Sequence, residues 1–280
     1  LLIKQQAQKK LFNMRTIIAI YKFICLGIAS LITIPSMFIW GVLFNTKPIF
    51  YIVPKAYHTV LCKIFRITVE ITGTPTTKHA VFLGNHLSYI DIPVMGSILD
   101  ATFIAKEDVK SWFIFGWLGT LAQTIYISRK RDAAQQCIND IEKMINRGRS
   151  LILFPEGTSS RGTKVIPFKS SLFELFLNDS LKNKLFIQPF TITIKKINGE
   201  IISNIEDMDK YSWHSDMELM PHLWQMAKLK GAHINIEFHC PRPAKNFKNR
   251  KEFAQICYDD VEQALKKNSP LPLDFKQKVP

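Results

Sequence analysis

The hydrophobic pattern divides the chain near residue 65. From Phe23 to Phe44 it gives 22 consecutive uncharged residues, whereas after Phe65 short apolar runs alternate with amphipathic segments. As a helix at 1.5 Å per residue, the uncharged run would be about 33 Å long, close to the thickness of a hydrocarbon core. Pro35 interrupts it, and either kinks one spanning helix or separates two shorter helices that enter one leaflet and return. We therefore predict a membrane-associating segment over 1–62, with both arrangements open.

The remainder of the chain, 63–280, has the pattern of one α/β domain. Short runs rich in β-branched and aromatic residues predict strands, and helical periodicity over 131–147 predicts a helix between two of them. A helix between two strands implies a parallel crossover, so we expect a mostly parallel or mixed sheet flanked by helices. Alternation over 233–240 predicts a half-buried strand at a sheet edge, and an amphipathic helix follows over 253–265. The other predicted strands are 65–72, 80–84, 101–105, 124–128, 150–154 and 185–194.

Positive charge is concentrated near the N-terminus. Of the formal net charge of +14, +9 falls in residues 1–90, where ten Lys and Arg oppose a single acid, Glu70. A basic excess suits nucleic acid or an anionic membrane, and the uncharged run decides for the lipid bilayer as partner and against nucleic acid. Basic residues flank the run on both sides, which the positive-inside rule satisfies best when both ends are cytoplasmic. The five cysteines have no CxxC spacing, which argues against a zinc site or a disulfide framework.

A polar residue follows each of four predicted strands. These residues are His86, Lys106, Arg129 and Glu156. The carboxyl ends of parallel strands lie along one edge of a sheet, where open α/β sheets bind their ligands. We therefore expect these four side chains, distant in sequence, to share one cleft.

His86 and Asp91 lie five residues apart in "LGNHLSYIDIP". In one regular helix they would be roughly 140° apart around the axis, so a turn is needed to pair them, and Pro93 favours a helix that starts near Asp91. In such a turn the carboxylate accepts the imidazole Nδ1–H and leaves Nε2 free as a base. The ordinary alternative is a buried histidine that bonds a helix cap. Ser88 as a covalent nucleophile is a weaker hypothesis, because side chains two residues apart usually point apart.

The segment "FPEGTSSRGTKVIPFKSSLF", residues 154–173, follows an apolar strand. Its Pro-Glu-Gly-Thr turn exposes the backbone N–H groups of Gly157 and Thr158, which suit an anionic or hydroxylated ligand. The alternative is a plain connection from strand to helix, with Glu156 in solvent.

Together, "NHLSYID" and the "FPEGT" about 65 residues later resemble the glycerolipid acyltransferase family, specifically its 1-acyl-sn-glycerol-3-phosphate acyltransferases. Two further blocks match more loosely: "TIYISR", which ends in Arg129, and "IQPFTITI", which contains Pro189. The resemblance covers roughly residues 65–200. The first and third blocks of the family are specific as a pair, whereas the other two mean little alone.

The resemblance implies a role for each matching residue. His86 would be the general base that deprotonates the free hydroxyl of lysophosphatidic acid as it attacks an acyl thioester of coenzyme A or acyl carrier protein, and Asp91 would orient it. Glu156 and Gly157 match positions assigned to the acyl acceptor, and Arg129 matches the position that holds its phosphate. The product would be phosphatidic acid, and direct transfer of this kind requires no metal and no cofactor.

The chain departs from the family pattern at one position. The family usually has Arg after the Thr of its third block, whereas this chain has Ser159 there and its nearest arginine is Arg161. Either Arg161 reaches the same anion, or Arg129 and Lys106 hold the phosphate without it, since Arg binds phosphate bidentately and Lys adds a point charge. The acceptor could therefore be another lysolipid.

The resemblance also gives the N-terminal segment a purpose, because a lysolipid acceptor resides in the bilayer. A basic, apolar anchor would hold the cleft at the membrane, with the active site at the cytoplasmic face. Two other classes compete with this hypothesis. A metal-dependent phosphoesterase, suggested by "GNH", needs ligands upstream, yet no aspartate precedes Asp91. A non-catalytic membrane-binding protein would have no need of His86, Asp91 and Glu156.

Overall fold

The computed structural model describes residues 2–77, 79–128 and 133–271. The helices in this part of the chain are α1 Leu2–Phe44, α2 Ile52–Phe65, α3 Asp91–Ile98, α4 Phe113–Leu121, α5 Ala133–Asn146, α6 Asp179–Lys182, α7 Ile205–Asp209, α8 Leu219–Ala227 and α9 Arg250–Asn268. The strands are β1 Ile67–Thr72, β2 Ala80–Gly84, β3 Ala101–Lys106, β4 Ile125–Ile127, β5 Ser150–Leu153, β6 Phe186–Ile197, β7 Glu200–Ile201, β8 Ala232–Phe238 and β9 Arg242–Pro243.

The strands form one mixed sheet in the order β1-β8-β6-β2-β5-β3-β4, and the short strands β7 and β9 pair with β6. From β6 to β4 all neighbours are parallel, whereas β8 is antiparallel to β6 and parallel to β1. All five residues of β2 are buried, as expected for a central strand covered on both faces. The predicted mostly parallel or mixed sheet flanked by helices is therefore confirmed.

One predicted strand lies elsewhere in the sheet than expected. The segment around 233–240 does form β8, but β8 lies between β1 and β6, so its assignment to a sheet edge is wrong. Its alternating pattern has another cause, because its polar side chains bond across the sheet. Asn235 Nδ2 donates to Thr72 Oγ1 of β1 at 3.0 Å. The edge position is taken by β1, most of whose residues are exposed.

Two hydrophobic cores cover the two faces of the sheet. One contains residues of α1, α2, α3 and α8, and the other contains residues of α5 and α9. The amphipathic patterns predicted both helices of the second core, although residues 131 and 132 lie outside the described residues. The buried side chains of these two helices are Cys137, Ile141, Met144, Ile145, Phe253, Ala254, Cys257, Val261, Ala264 and Leu265.

The N-terminal segment is a hairpin of two antiparallel helices. Ser30 Oγ and Tyr57 Oη form a hydrogen bond of 2.8 Å between α1 and α2, and Trp40 Nε1 donates to the Ile49 carbonyl at 3.0 Å near the turn. The helix α1 continues through Pro35, so two short helices separated there are not what the structure shows. The chain reverses at 45–47 instead, immediately before Pro48, which disfavours helical geometry in the residue that precedes it.

One face of α1 packs on the domain and the opposite face is exposed and apolar. Ala19, Lys22 and Met37 are buried, and α1 contacts α2 and α8. Over Asn13–Phe44 the helix is long and apolar enough to cross a membrane, by length and composition. We call its exposed side the apolar stripe of α1. The stripe consists of Met14, Ile17, Ile20, Tyr21, Ile24, Ile28, Leu31, Ile32, Phe38, Ile39, Val42 and Leu43.

Candidate active site

The turn between β2 and α3 brings His86 and Asp91 together. The strand ends at Gly84, the helix begins at Asp91, and the residues between them are not helical. His86 Nδ1–H donates to Asp91 Oδ2 at 2.8 Å. The predicted turn and the predicted contact are both confirmed, and this bond selects the tautomer in which Nε2 carries the lone pair.

Asp91 is fully buried and richly supplied with donors. Its Oδ2 also accepts the backbone N–H groups of Leu87 at 2.6 Å and Ser88 at 3.0 Å, and its Oδ1 accepts the hydroxyl of Tyr211 at 3.2 Å. The carboxylate also lies in the first turn of α3, where the helix dipole favours negative charge. These contacts fix the carboxylate and, through it, the orientation of the His86 ring.

The imidazole of His86 is bonded to this carboxylate and packs against an aromatic ring. Its ring stacks on Phe154, with a centroid distance of 4.2 Å and an interplanar angle of 16°. The side chain is 20% exposed. Among the described residues Nε2 has no hydrogen-bond partner, so the imidazole is bonded through Nδ1 and open at Nε2. Phe154 immediately follows β5 and was not identified from the sequence.

Glu156 belongs to the Pro-Glu-Gly-Thr turn, residues 155–158, which we call the second turn. It links this turn to the one between β2 and α3, residues 85–90, which we call the first turn. Its Oε1 accepts the backbone N–H of His86 at 3.1 Å, and the Ser160 N–H donates to the His86 carbonyl at 2.8 Å. The Glu156 side chain is fully buried, so the alternative that placed it in solvent is wrong. Its Oε2 has no hydrogen-bond partner among the described residues. Burial raises the pKa of this carboxyl to about 8, and the N–H of His86 opposes the shift.

Gly157 and Thr158 follow Glu156 in the second turn, where the Gly157 N–H donates to the Phe154 carbonyl at 3.1 Å, so the prediction that this N–H is open to a ligand is wrong. Gly157 has φ +69°, a conformation that favours glycine, and Thr158 is exposed. A Cβ on Gly157 would lie 2.6 Å from Lys169 Nζ, so this lysine covers the turn. Sequence reasoning missed Lys169 because it belongs to no periodic pattern, although it lies inside the segment that was singled out.

Arg161 pairs with an acid from a distant loop. Its Nε donates to Asp209 Oδ1 at 2.7 Å, and the same oxygen accepts His214 Nε2 at 2.9 Å. Both partners of the Arg161–Asp209 pair are about one quarter exposed. Asp209 carried no signal in the sequence, because an isolated acid at the end of a short helix is usually a surface residue.

The loop that carries Asp209 also forms a wall of the site. Tyr211 reaches Asp91, and the Trp213 N–H donates to the Leu87 carbonyl at 2.9 Å. The hydroxyl of Tyr89 and His222 Nδ1 form a hydrogen bond of 3.0 Å. Residues 209–222 therefore cover the sheet edge at which the site was predicted. Their hydrogen bonds to Leu87, Tyr89 and Asp91 hold the first turn in place.

Lys106 ends β3 at the same sheet edge as Gly84 of β2 and Leu153 of β5, and it is half-buried. Arg129 lies outside the described residues, so its place in the cleft stays a prediction. Ser88 is fully buried, which leaves its hydroxyl inaccessible as a nucleophile. No group of three His, Cys, Asp or Glu side chains that could hold a metal occurs in the described ranges, so the phosphoesterase hypothesis has no ligand set there.

Known structures share this fold. The crystal structure of the 1-acyl-sn-glycerophosphate (LPA) acyltransferase PlsC from Thermotoga maritima matches with a TM-score of 0.66 at 16% sequence identity, over 92% of this chain and 97% of that chain. At this level of identity the match shows the fold alone.

Sequence comparisons then give the family. The Acyltransferase family model matches residues 66–193. The lyso-ornithine lipid O-acyltransferase of Rhizobium meliloti is 30% identical over 76% of this chain and 74% of its own length, and that of Rhodobacter capsulatus is 31% identical over 76% and 77%. A 1-acyl-sn-glycerol-3-phosphate acyltransferase of Neisseria meningitidis is 25% identical over 69% and 72%. The chain belongs to the acyltransferase family, which confirms the resemblance at the family level but not the narrower group.

Proposed function

We propose that the enzyme transfers a fatty acyl group from a thioester of coenzyme A or acyl carrier protein to the free hydroxyl of a lysolipid. The observation that carries this proposal is the 2.8 Å bond from His86 Nδ1 to buried Asp91, with Nε2 open. Nε2 takes the hydroxyl proton while the oxygen attacks the thioester carbonyl. The carbon–sulfur bond then breaks, and the proton passes from Nε2 to the departing thiol. The step as proposed calls for no metal and no cofactor.

The second turn, which is bonded to the backbone of His86, adds groups that suit the same step. The Gly157 N–H donates to the Phe154 carbonyl at 3.1 Å, which leaves exposed Thr158 and the ammonium of Lys169, beside Gly157, as the donors of this turn. Donors in this position suit the oxyanion that forms at the thioester carbonyl or the polar groups of the acceptor. Glu156 would serve as a positioning residue, because its buried carboxyl holds the backbone of His86.

Lyso-ornithine lipid is the acceptor that we propose first. Relatives named for it match 76% of this chain, whereas relatives named for 1-acyl-sn-glycerol-3-phosphate match 69% of it at lower identity or 46% of it at similar identity. Ornithine is an amino acid, so its headgroup can present an ammonium and a carboxylate. The Arg161–Asp209 pair offers both complementary charges, whereas an arginine already neutralised by an acid is a weaker partner for phosphate alone.

Lysophosphatidic acid is the second candidate acceptor, and a different observation favours it. Lys106 lies at the end of β3 and Lys169 beside Gly157, and two lysines at one sheet edge suit a phosphate. The relative from Neisseria meningitidis carries that activity in its name. Transfer to it would give phosphatidic acid.

A panel of lysolipids against a single acyl-CoA separates these candidates. The purified protein in detergent is expected to release thiol fastest with lyso-ornithine lipid, and the His86→Ala variant is expected to release none above background. A Ser88→Ala variant serves as the control and should keep its activity. Absence of thiol release with every acceptor and both donors, from folded protein, would contradict the enzyme proposal and favour a non-catalytic membrane-binding role.

We propose that the α1–α2 hairpin attaches the enzyme to one leaflet, with the site at the cytoplasmic face. The helix α1 packs on the domain from Ala19 to Met37 while its apolar stripe is exposed along the same length. A helix lying in the interface satisfies both contacts, whereas a spanning helix would separate from the domain. Coenzyme A and acyl carrier protein are cytoplasmic, which sets the side. The division at residue 62 stays a prediction, and α2 extends across it.

Native Cys240 gives a test of this topology, because it is exposed on the domain. A membrane-impermeant maleimide should label Cys240 in inside-out vesicles and not in sealed right-side-out vesicles. The Cys240→Ser variant shows how much labelling comes from other cysteines. Labelling of Cys240 in right-side-out vesicles alone would contradict the cytoplasmic placement.

A further inference from the structure

A cavity lies away from the His86–Asp91 pair, between the N-terminal part of α1 and the end of the sheet where β6 turns into β7. Its volume is about 290 Å³. It is lined by Arg15, Asn198, Lys210, Gln225, Lys228 and Leu229. The residues come from α1, from the β6–β7 turn and from the neighbourhoods of α7 and α8, so only the folded chain forms this cavity.

The lining carries positive charge and amides but no carboxylate. Arg15 is exposed, Lys228 Nζ lies 5.3 Å from the centroid of the Trp224 ring, and Lys210 is paired with Asp207, which lies outside the lining. The side chains of the lining itself are therefore three cations, two amides and one leucine. Cations together with amide donors are the groups that proteins use to bind phosphate.

The walls of this cavity are held together by hydrogen bonds and by a stacked pair of aromatic rings. Lys22 of α1 is only 2% exposed, and its Nζ donates to the carbonyl of Leu229 at 2.7 Å. Phe23 stacks on Trp224 of α8 at a centroid distance of 5.8 Å. On the other side, Asn198 Oδ1 accepts the N–H of Lys230 at 2.7 Å. The cavity is thus formed before any ligand binds, which lowers the entropic cost of binding.

One lining residue of the cavity comes from the part of α1 in which the apolar stripe begins. Arg15 lies between Met14 and Ile17, the first members of the apolar stripe. We propose that this cavity binds a phosphate group, namely the headgroup phosphate of an anionic membrane lipid. The choice of a lipid as the source rests on the proposed attachment of α1, whereas the phosphate chemistry rests on the lining alone. Basic pockets next to membrane helices on the cytoplasmic side are suited to such headgroups.

The test compares two double variants that remove equal charge. Arg15→Gln/Lys228→Gln removes two cations of the cavity, and Lys245→Gln/Lys248→Gln removes two exposed cations near the second core, on the opposite face of the sheet. Flotation of the full chain is measured with phosphatidylcholine vesicles and with vesicles that also contain phosphatidylglycerol. The cavity variant is expected to lose about tenfold in affinity for the anionic vesicles, against about twofold for the control.

Two further measurements are needed. The first distinguishes a lipid headgroup from a soluble phosphate as the ligand, and the second uses a variant that is expected to leave folding undisturbed. Titration of detergent-solubilised protein with inorganic phosphate and with coenzyme A shows whether a soluble phosphate fills the cavity. Loss of that binding in the cavity variant, with unchanged flotation, would support the phosphate site and replace the lipid by a soluble ligand. Gln225→Glu adds a carboxylate to the lining with little change of shape, and it should reproduce the loss while activity in neutral micelles is kept.

The proposal is overturned if both double variants lose the same affinity and neither soluble probe distinguishes them, because diffuse surface charge would then explain the binding. It is also overturned if wild-type protein shows no preference for anionic vesicles and binds neither soluble probe. Activity of the wild type in neutral micelles reports on the acyl-transfer proposal separately, so failure of one does not imply failure of the other.

Discussion

The two turns that meet at the active site each bury a carboxyl group, and they surround it differently. Asp91 receives four hydrogen bonds, from the His86 ring, two backbone N–H groups and Tyr211. Glu156 is equally buried, but its Oε2 has no partner among the described residues and its pKa is raised to about 8. The comparison teaches that burial alone favours the neutral acid, and that a dense set of donors is what suits a buried carboxylate.

The largest effect on activity is expected for Asp91→Asn, which keeps the shape of the first turn. An amide nitrogen facing Nδ1 would favour the wrong tautomer, so Nε2 would carry the proton and lose its function as a base. We expect kcat/KM to fall by about 10³- to 10⁴-fold with little change in KM, measured by thiol release. A loss below about tenfold would show that Asp91 does not orient the base.

The second change is Glu156→Gln, which removes the titrating group of the second turn. The pKa of about 8 lies above the ordinary value of 4.5, so the folded chain binds this proton more tightly than the unfolded chain. The stabilising contribution is fully present below about pH 4.5 and is lost as the pH rises through about 8. From pH 5 to pH 8.5 the wild type is expected to lose about 1–3 kcal/mol more stability than the variant.

Thermal melting in detergent across this pH range measures the difference between the wild type and Glu156→Gln. Exposed Glu200 provides the matched control, and Glu200→Gln should follow the wild-type pH dependence. If the wild type and Glu156→Gln change in parallel, Glu156 is not held neutral by its surroundings.

The third change, Asp209→Asn, tests which charges next to the second turn contact the acceptor. Removing the acid frees Arg161 from its partner and takes away the group that would hold an ammonium. The ratio of kcat/KM for lyso-ornithine lipid to that for lysophosphatidic acid is expected to fall about tenfold. Loss of both activities in equal proportion would indicate a structural role instead, and Asp207→Asn on the same helix is the control.

The smallest effect is expected for Gly157→Ala. The residue has φ +69°, so a Cβ costs about 1 kcal/mol, and the contact with Lys169 adds little because that side chain can move. The melting temperature should fall by a few degrees, and Gly157→Ala/Lys169→Ala should restore little of it. Full restoration by the second substitution would show that steric contact, rather than backbone strain, causes the loss.

Much of the fold could be predicted from local pattern, because the burial of a strand or of an amphipathic helix appears in the sequence as a run or a regular spacing of apolar residues. The strands β2 and β5 and the helices α5 and α9 were predicted for this reason. The errors concern positions that depend on neighbours. An alternating pattern marks a strand with two different faces but not its place in the sheet, so β8 was assigned to an edge. Pro35 was a plausible break, yet the α1–α2 contacts keep α1 continuous.

The sequence alone was enough to infer the contact between His86 and Asp91 and the acyltransferase family. His86 and Asp91 lie five residues apart, and a turn of that length can be inferred from Pro93 and from the end of a strand. Tertiary structure alone decided what surrounds the pair: the ring of Phe154, the hydroxyl of Tyr211 and the acid that neutralises Arg161. Those partners are 48 to 120 residues away from the groups they contact, and no local pattern records a contact that forms only when separate strands align.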